Sequence, residues 1–218
     1  MSPILLGYIF SYLYLFAVIF GTNILKKVFN MNIEISRKIV HILVGFIWLI
    51  LYKYLANTIH IVIIPLTVIA LNFCSYKFKL FKVFERDDDN KNHLGTVYYA
   101  ISMTILSIIS LIFPKMLIPY GISVFCLSFG DGFAAIFGCS VKHKNIHIMK
   151  EKTLVGSIAC IIGAAIGILL IKLILSIDIS FLELIILSIS TGVLELVGSG
   201  FDNFSITFGI ALLSRIII

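Results

Sequence analysis

Charge is what this chain has least of. Only 13% of its 218 residues are Asp, Glu, Lys or Arg, against about 25% in an ordinary soluble domain. A water-facing surface cannot be covered with so little, and a soluble fold of this length is excluded. Cysteine is sparse and unpatterned. Cys74, Cys126, Cys139 and Cys160 stand far apart with no CxxC spacing, which argues against a disulfide framework or a thiolate metal centre. No GxxxxGK[ST] phosphate loop occurs, nor any internal repeat or low-complexity stretch. Met1-Ser2-Pro3-Ile4 carries no basic region and no small-residue cleavage site follows, so the first apolar stretch is expected to be a retained helix. The net charge of +6 lacks the aromatic-interleaved basic surface that nucleic acid requires, and no nucleic-acid partner is expected.

What is present is apolar: 60% of residues are hydrophobic and the mean hydropathy is +1.11. A span needs about 20 mainly apolar residues. Apolar runs fall near 3–24, 39–56, 58–74, 96–113, 117–138, 154–175, 181–198 and 203–218. The expected fold is therefore all-α, a polytopic transmembrane helical bundle of about eight spans forming a single integral membrane domain over 1–218. Pro65, Pro114 and Pro119 lie in or beside these runs, where neighbouring helices can satisfy a freed carbonyl.

The connections set the orientation. Lys26, Lys27, Arg37 and Lys38 follow the first run. Lys77, Lys79, Lys82, Arg86 and Lys91 follow the third, and Lys142, Lys144, Lys150 and Lys152 the fifth. These are thirteen of the 17 basic residues, and eight alternating helices put them all on one side. The positive-inside bias makes that side cytoplasmic, with both termini outside. A multi-pass protein of the cell membrane, its site facing the cytoplasm, is the expectation.

Several ionisable residues sit where lipid makes them expensive. Asp131, in Gly130-Asp131-Gly132, lies about two turns, roughly 10 Å, inside the cytoplasmic end of its run, and needs a cation, a partner or a wet cavity there. Gly130, Ala134 and Gly138 make a small-residue face for close helix approach; Gly163 and Gly167 make another. An interhelical hydrogen bond alone would also account for Asp131. Thr191, Glu195 and Ser199 share a face at i, i+4 and i+8. Asp202-Asn203 enters the last helix, where Asp is also a favoured N-cap. Asp131, Glu195 and Asp202 together suit a divalent cation such as Mg²⁺, which commonly bridges to phosphates.

Opposite charge comes from the loop after the fifth run, Lys144 and Lys152 included. Lys152-Thr153-x-x-Gly156-Ser157 opens a helix, where backbone N–H groups, a lysine and hydroxyls can cradle phosphate. Loop lysines also report topology or anionic lipid. Arg37 and His41 share a helix face, with Lys38 beside them, as candidate phosphate ligands or proton carriers. Tyr98 and Tyr99 are expected as interfacial belt residues.

In order along the chain, Arg37-Lys38 and His41, Gly95-Thr96-Val97-Tyr98-Tyr99, Asp131-x-x-Ala134-x-x-x-Gly138, Lys152-Thr153-x-x-Gly156-Ser157, Glu195 and Asp202-Asn203 resemble the polyprenol kinase family. These are CTP-dependent kinases of dolichol, phytol and diacylglycerol type. The resemblance implies transfer of phosphate from CTP, with Mg²⁺, to a membrane lipid alcohol: an isoprenoid such as phytol, farnesol or a polyprenol, or diacylglycerol. It implies catalytic roles for Asp131, His41 and Arg37, phosphate binding by Lys38, Lys144, Lys152, Thr153, Gly156 and Ser157, and a place for Asn203 beside the acids. The chain departs from the pattern at Lys142, where the family often has Gly, and at Val155, where it often has Glu. Phosphatidate cytidylyltransferases, the alternative enzyme reading, share the Asp-containing helix and the Lys-Thr loop, but their His-Gly-Gly signature is absent. A small transporter is the alternative outside enzymes; it would place its acids near midplane and often shows inverted repeats.

Overall fold

The computed structural model describes residues 1–78, 95–140, 147–149, 152–198 and 201–218. Among them each of the eight apolar runs is helical. They form α1 (Pro3–Val28), α2 (Ile33–Gly45), α3 (Ile47–Tyr54), α4 (His60–Phe78), α5 (Gly95–Ile112), α6 (Leu117–Ser140), α7 (Leu154–Leu175), α8 (Phe181–Val197) and α9 (Asp202–Ile217). A 3-10 turn, Pro114–Met116, precedes α6, and β1 (His147–Met149) pairs antiparallel with β2 (Lys152–Thr153). The second run is two helices, because the chain breaks step at Phe46, whose N–H bonds the carbonyls of Leu43 and Val44. That segment begins at Ile33, earlier than the apolar run suggests. Asn32 caps it by accepting from the Glu34 N–H at 3.0 Å, and its first two turns are amphipathic rather than apolar.

Among the described residues, five segments are long and apolar enough to cross a membrane: Pro3–Val28, Ile33–Tyr54, Gly95–Ile112, Pro114–Gly138 and Leu154–Leu175. The outward-facing side chains agree. Phe16, Phe20, Leu173, Phe181 and Val197 are exposed, and each would lose about 1.5–3 kcal/mol by standing in water rather than in an apolar medium. This is a polytopic transmembrane helical bundle, and its solvent is lipid. Helix α7 has the inverted arrangement that lipid favours. Over its first four turns the buried face is Gly156, Ser157, Ala159, Cys160, Gly163, Ala164 and Gly167, with Ile168 and Ile171 buried beyond them, while Ile158, Ile162, Ile166 and Leu173 point outward.

The chain divides into two compact units, Met1–Leu117 and Ile118–Ile218. In the first, α1 packs on α3, and α4 on α5. A Cβ at Gly7 of α1 would fall 2.6 Å from Leu55 Cδ2. The Tyr14 hydroxyl donates to the Leu43 carbonyl at 2.6 Å. In the second, α7 packs on α8 and α8 on α9. Helices α6 and α7 run antiparallel in close contact. A Cβ at Gly167 would meet the Phe125 carbonyl, one at Gly163 that of Phe129, one at Gly130 the Cys160 Sγ, and one at Gly156 the Ala134 carbonyl. The two small-residue faces legible in the sequence are the two sides of this one contact.

Candidate functional site

The second unit gathers polar residues at the end of α7 where the chain enters it. Lys152 is fixed from both sides: it pairs with Met149 in the hairpin, and Thr153 directly after it is the N-cap of α7. Its Nζ donates to Glu195 Oε1 and, at 2.6 Å, to Asp202 Oδ2. Glu195 comes from the last turn of α8 and its side chain is 4% exposed; Asp202 opens α9 at 18%, and Lys152 itself keeps 20%. Burial alone pulls the Lys152 ammonium toward its neutral form. Asp202, and then Glu195, more than reverse this and hold its pKa above the ordinary lysine value. Lys152 is thus a fixed cation at neutral pH.

Each acid offers Lys152 one oxygen. The others, Glu195 Oε2 and Asp202 Oδ1, are buried and have no hydrogen-bond partner among the described residues, and the same holds for Ser157 Oγ on α7. A buried acceptor left unmade costs about 1–3 kcal/mol, and more when charged. Two carboxylates against one ammonium also leave negative charge uncompensated between them. Asp202 Oδ1 lies beside Gly198, where a Cβ would fall 2.7 Å from it and 2.6 Å from Ser205 Oγ. Glycine at 198 therefore leaves space that any side chain would fill.

Asp131 belongs to the same neighbourhood. Its predecessor Gly130 faces Cys160 of α7 and Thr191 of α8, one turn from Glu195, and Asp131 is within electrostatic reach of both Glu195 and Cys160. Helix α6 continues to Ser140, which puts Asp131 about 13 Å from its end at 1.5 Å per residue. Asp131 is buried, 8% exposed. The sequence put Asp131, Glu195 and Asp202 on one cation; the cation that Glu195 and Asp202 hold is the Lys152 ammonium. Among the described residues no three His, Cys, Asp or Glu side chains form a metal-holding group.

The helix start is also settled in detail. Thr153 Oγ1 accepts from the Gly156 N–H at 3.1 Å, so this hydroxyl serves the cap. A Cβ at Gly156 would lie 3.2 Å from the Ala134 carbonyl and 3.7 Å from Gly138 Cα. Close approach of α6 explains this glycine by itself. Asp202 is not a cap: α9 is preceded by Phe201, which makes no side-chain cap bond. Helix α8 ends at Val197, so its polar face holds Thr191 and Glu195, and Ser199 lies outside the described residues. So does Lys144. Asn203, next to Asp202 in the first turn of α9, accepts through its carbonyl from the Thr207 hydroxyl.

Arg37, Lys38 and His41 belong to the first unit. Arg37 pairs with Glu34 at 3.0 Å, one turn earlier on α2. The His41 ring packs on Tyr99 of α5 with centroids 4.4 Å apart. Tyr99 is buried, 5% exposed, and so is a core residue rather than the interfacial belt residue expected. Sequence reasoning missed Glu34, Cys160 and Gly198. The i, i+3 Glu34–Arg37 spacing was a readable signal, whereas the surroundings of Cys160 and Gly198 are made by long-range contacts. Compared with models of protein families, with curated proteins and with solved structures, the chain matches none of them.

Proposed function

We propose that the chain is a lipid-alcohol kinase of the polyprenol kinase type, acting at the cytoplasmic face of the cell membrane with CTP and Mg²⁺. The observation that carries the reading is the Lys152–Glu195–Asp202 cluster, with its two unpartnered carboxylate oxygens, at the N-terminal end of α7. Phosphoryl transfer asks a protein mainly to position the phosphates and neutralise their charge. Lysine, helix start and acid pair are the parts that task needs, and a membrane surface is where a lipid alcohol presents its hydroxyl.

Two carboxylates fit a divalent cation that takes its other ligands from water and phosphate: Glu195 Oε2 and Asp202 Oδ1 are hard oxygen donors with no hydrogen-bond partner among the described residues. Glu195 and Asp202 would hold the ion, which supplies charge neutralisation to the nucleotide's phosphates. Lys152 and the start of α7 bind the γ-phosphoryl group. Asp131, deeper on α6, takes the proton of the attacking hydroxyl. The oxygen–γ-phosphorus bond forms, the bond to the β-phosphate oxygen breaks, and CDP leaves.

Purified chain incubated with γ-labelled CTP, Mg²⁺ and phytol, farnesol or a longer polyprenol should transfer label to the extracted lipid. Label at the α-position should stay in water-soluble CDP. Entry of α-label into lipid when phosphatidate is supplied would instead establish a cytidylyltransferase. Cytoplasmic labelling of cysteine reporters at positions 85 and 144, and outside labelling at 115 and 178, tests the sidedness.

A further inference from the structure

The lysine that should bind the nucleotide is already bound, and to the acids that should bind the metal. We infer that Lys152 is an exchangeable tethered cation. Without nucleotide it neutralises Glu195 and Asp202; it passes to the nucleotide's phosphates when a divalent cation takes the acids. This rests on the phosphotransfer reading above and adds an order of events, in which metal alone is disfavoured and metal with nucleotide is admitted together.

Three observations support it. Lys152 holds both acids at once, so an incoming cation meets a like charge seated between its ligands. Among the described residues, Oε2 of Glu195, 3% exposed, and Oδ1 of Asp202 have no hydrogen-bond partner. A cation thus has unclaimed oxygens at the cluster. Finally, the ammonium ends a long flexible stem, the side chain as a whole is one-fifth exposed, and its backbone is fixed by the hairpin and the Thr153 cap. Nζ can swing toward the start of α7 without moving a helix. A lysine permanently locked to both acids could not serve phosphate, and one that never touched them would leave two buried carboxylates exposed to each other's charge.

The test is Mn²⁺ binding by the full chain in detergent, read from the free-ion paramagnetic resonance signal against matched samples without the chain, so that Mn²⁺ held by CTP alone is subtracted. Unaltered chain should bind Mn²⁺ weakly alone and at least about tenfold more tightly with CTP, the equivalent of about 1.4 kcal/mol. Lys152→Met should bind Mn²⁺ alone at least about tenfold more tightly than the unaltered chain, by removing the competing charge. Lys152→Arg, which keeps the charge, should stay weak. Tight Mn²⁺ binding by the unaltered chain without CTP overturns the exchange while leaving the phosphotransfer reading intact. No binding by either chain, with or without CTP, overturns both. Should Lys152→Met fail to fold, lysine acetylation of the unaltered chain, followed by peptide mass spectrometry, replaces it. Saturating Mn²⁺ should speed acetylation of Lys152, and an unchanged rate overturns the exchange.

Discussion

Replacing Lys152 by Met should cost more stability than replacing Glu195 by Gln, and the two losses should not add. The asymmetry follows from who holds whom. Glu195 has a side chain 4% exposed and Lys152 as its hydrogen-bond partner among the described residues. Removing the ammonium leaves that carboxylate buried and unpaired, a situation that costs about 3–5 kcal/mol when fully buried. Lys152 and Asp202 are about one-fifth exposed, so water reaches part of the cluster and about 2–4 kcal/mol is expected. Glu195→Gln is milder: the amide oxygen still accepts, and Lys152 keeps Asp202 at 2.6 Å. Only the charge assistance is lost, about 1 kcal/mol of a bond worth about 1.5–3. The double variant removes donor and charged acceptor together and should cost about 1–2 kcal/mol, less than Lys152→Met alone. The assay is unfolding in detergent with a chelator present, run as a double-mutant cycle. Equal single costs, or additivity within about 0.5 kcal/mol, would refute the arrangement.

Gly163→Ala should destabilise the chain by about 1–2 kcal/mol. The new methyl meets the rigid Phe129 backbone and, at 3.0 Å, the Phe133 Cβ, and overpacking of this kind outweighs the better helix propensity of alanine. Gly21→Ala, with nothing within 4 Å of the added carbon, should stabilise by about 0.5–1 kcal/mol; the same sign for both in thermal unfolding would contradict the packing. Gly198→Ala should displace Asp202 Oδ1 and, on the proposed kinase reading, lower lipid phosphorylation about tenfold or more in a protein that still folds; unaltered turnover would remove Asp202 from the site. The raised pKa of Lys152 makes its contribution to stability complete below the ordinary lysine value of about 10.4 and lost only as pH rises through the folded-state value. Unfolding midpoints should therefore show an alkaline decline that Lys152→Met makes shallower, with no corresponding change between about pH 6 and 9.

The helices were legible because lipid demands length and apolarity, and nothing else in this chain supplies both. Their limits were less so. The start of α2 at Ile33 rests on an Asn32 cap and an amphipathic turn, which apolar run-counting passes over. The α6–α7 contact was readable from Gly130, Ala134, Gly138, Gly163 and Gly167, because small residues at helical spacing have few other reasons to recur in a span. The site was half legible. Acids in an apolar chain are conspicuous, so Asp131, Glu195 and Asp202 stood out. What each one touches is decided by contacts more than 40 residues apart, and so the pairing of Lys152 with Glu195 and Asp202 was not legible. Gly156 has a second reason that the sequence did not show: a Cβ there would lie 3.2 Å from the Ala134 carbonyl.

Burial of Glu195 explains why the partner of this acid is a loop lysine rather than one carried by a helix. A lysine within a neighbouring span would have to cross lipid-facing sequence and bring its own desolvation cost. Lys152 avoids this by standing just outside α7, in a two-residue strand whose far side is already helix cap. Its backbone stays outside the apolar helix and only the stem reaches in to the acid, as long basic side chains do at interfaces. The same geometry ties position to identity. Arginine would keep the charge, but its planar fork spreads the donors across a wider front than one Nζ serving two carboxylates. A shorter side chain could not span from strand to both helices. Lysine at 152 is the residue that satisfies the buried acid, remains one-fifth exposed and can still leave.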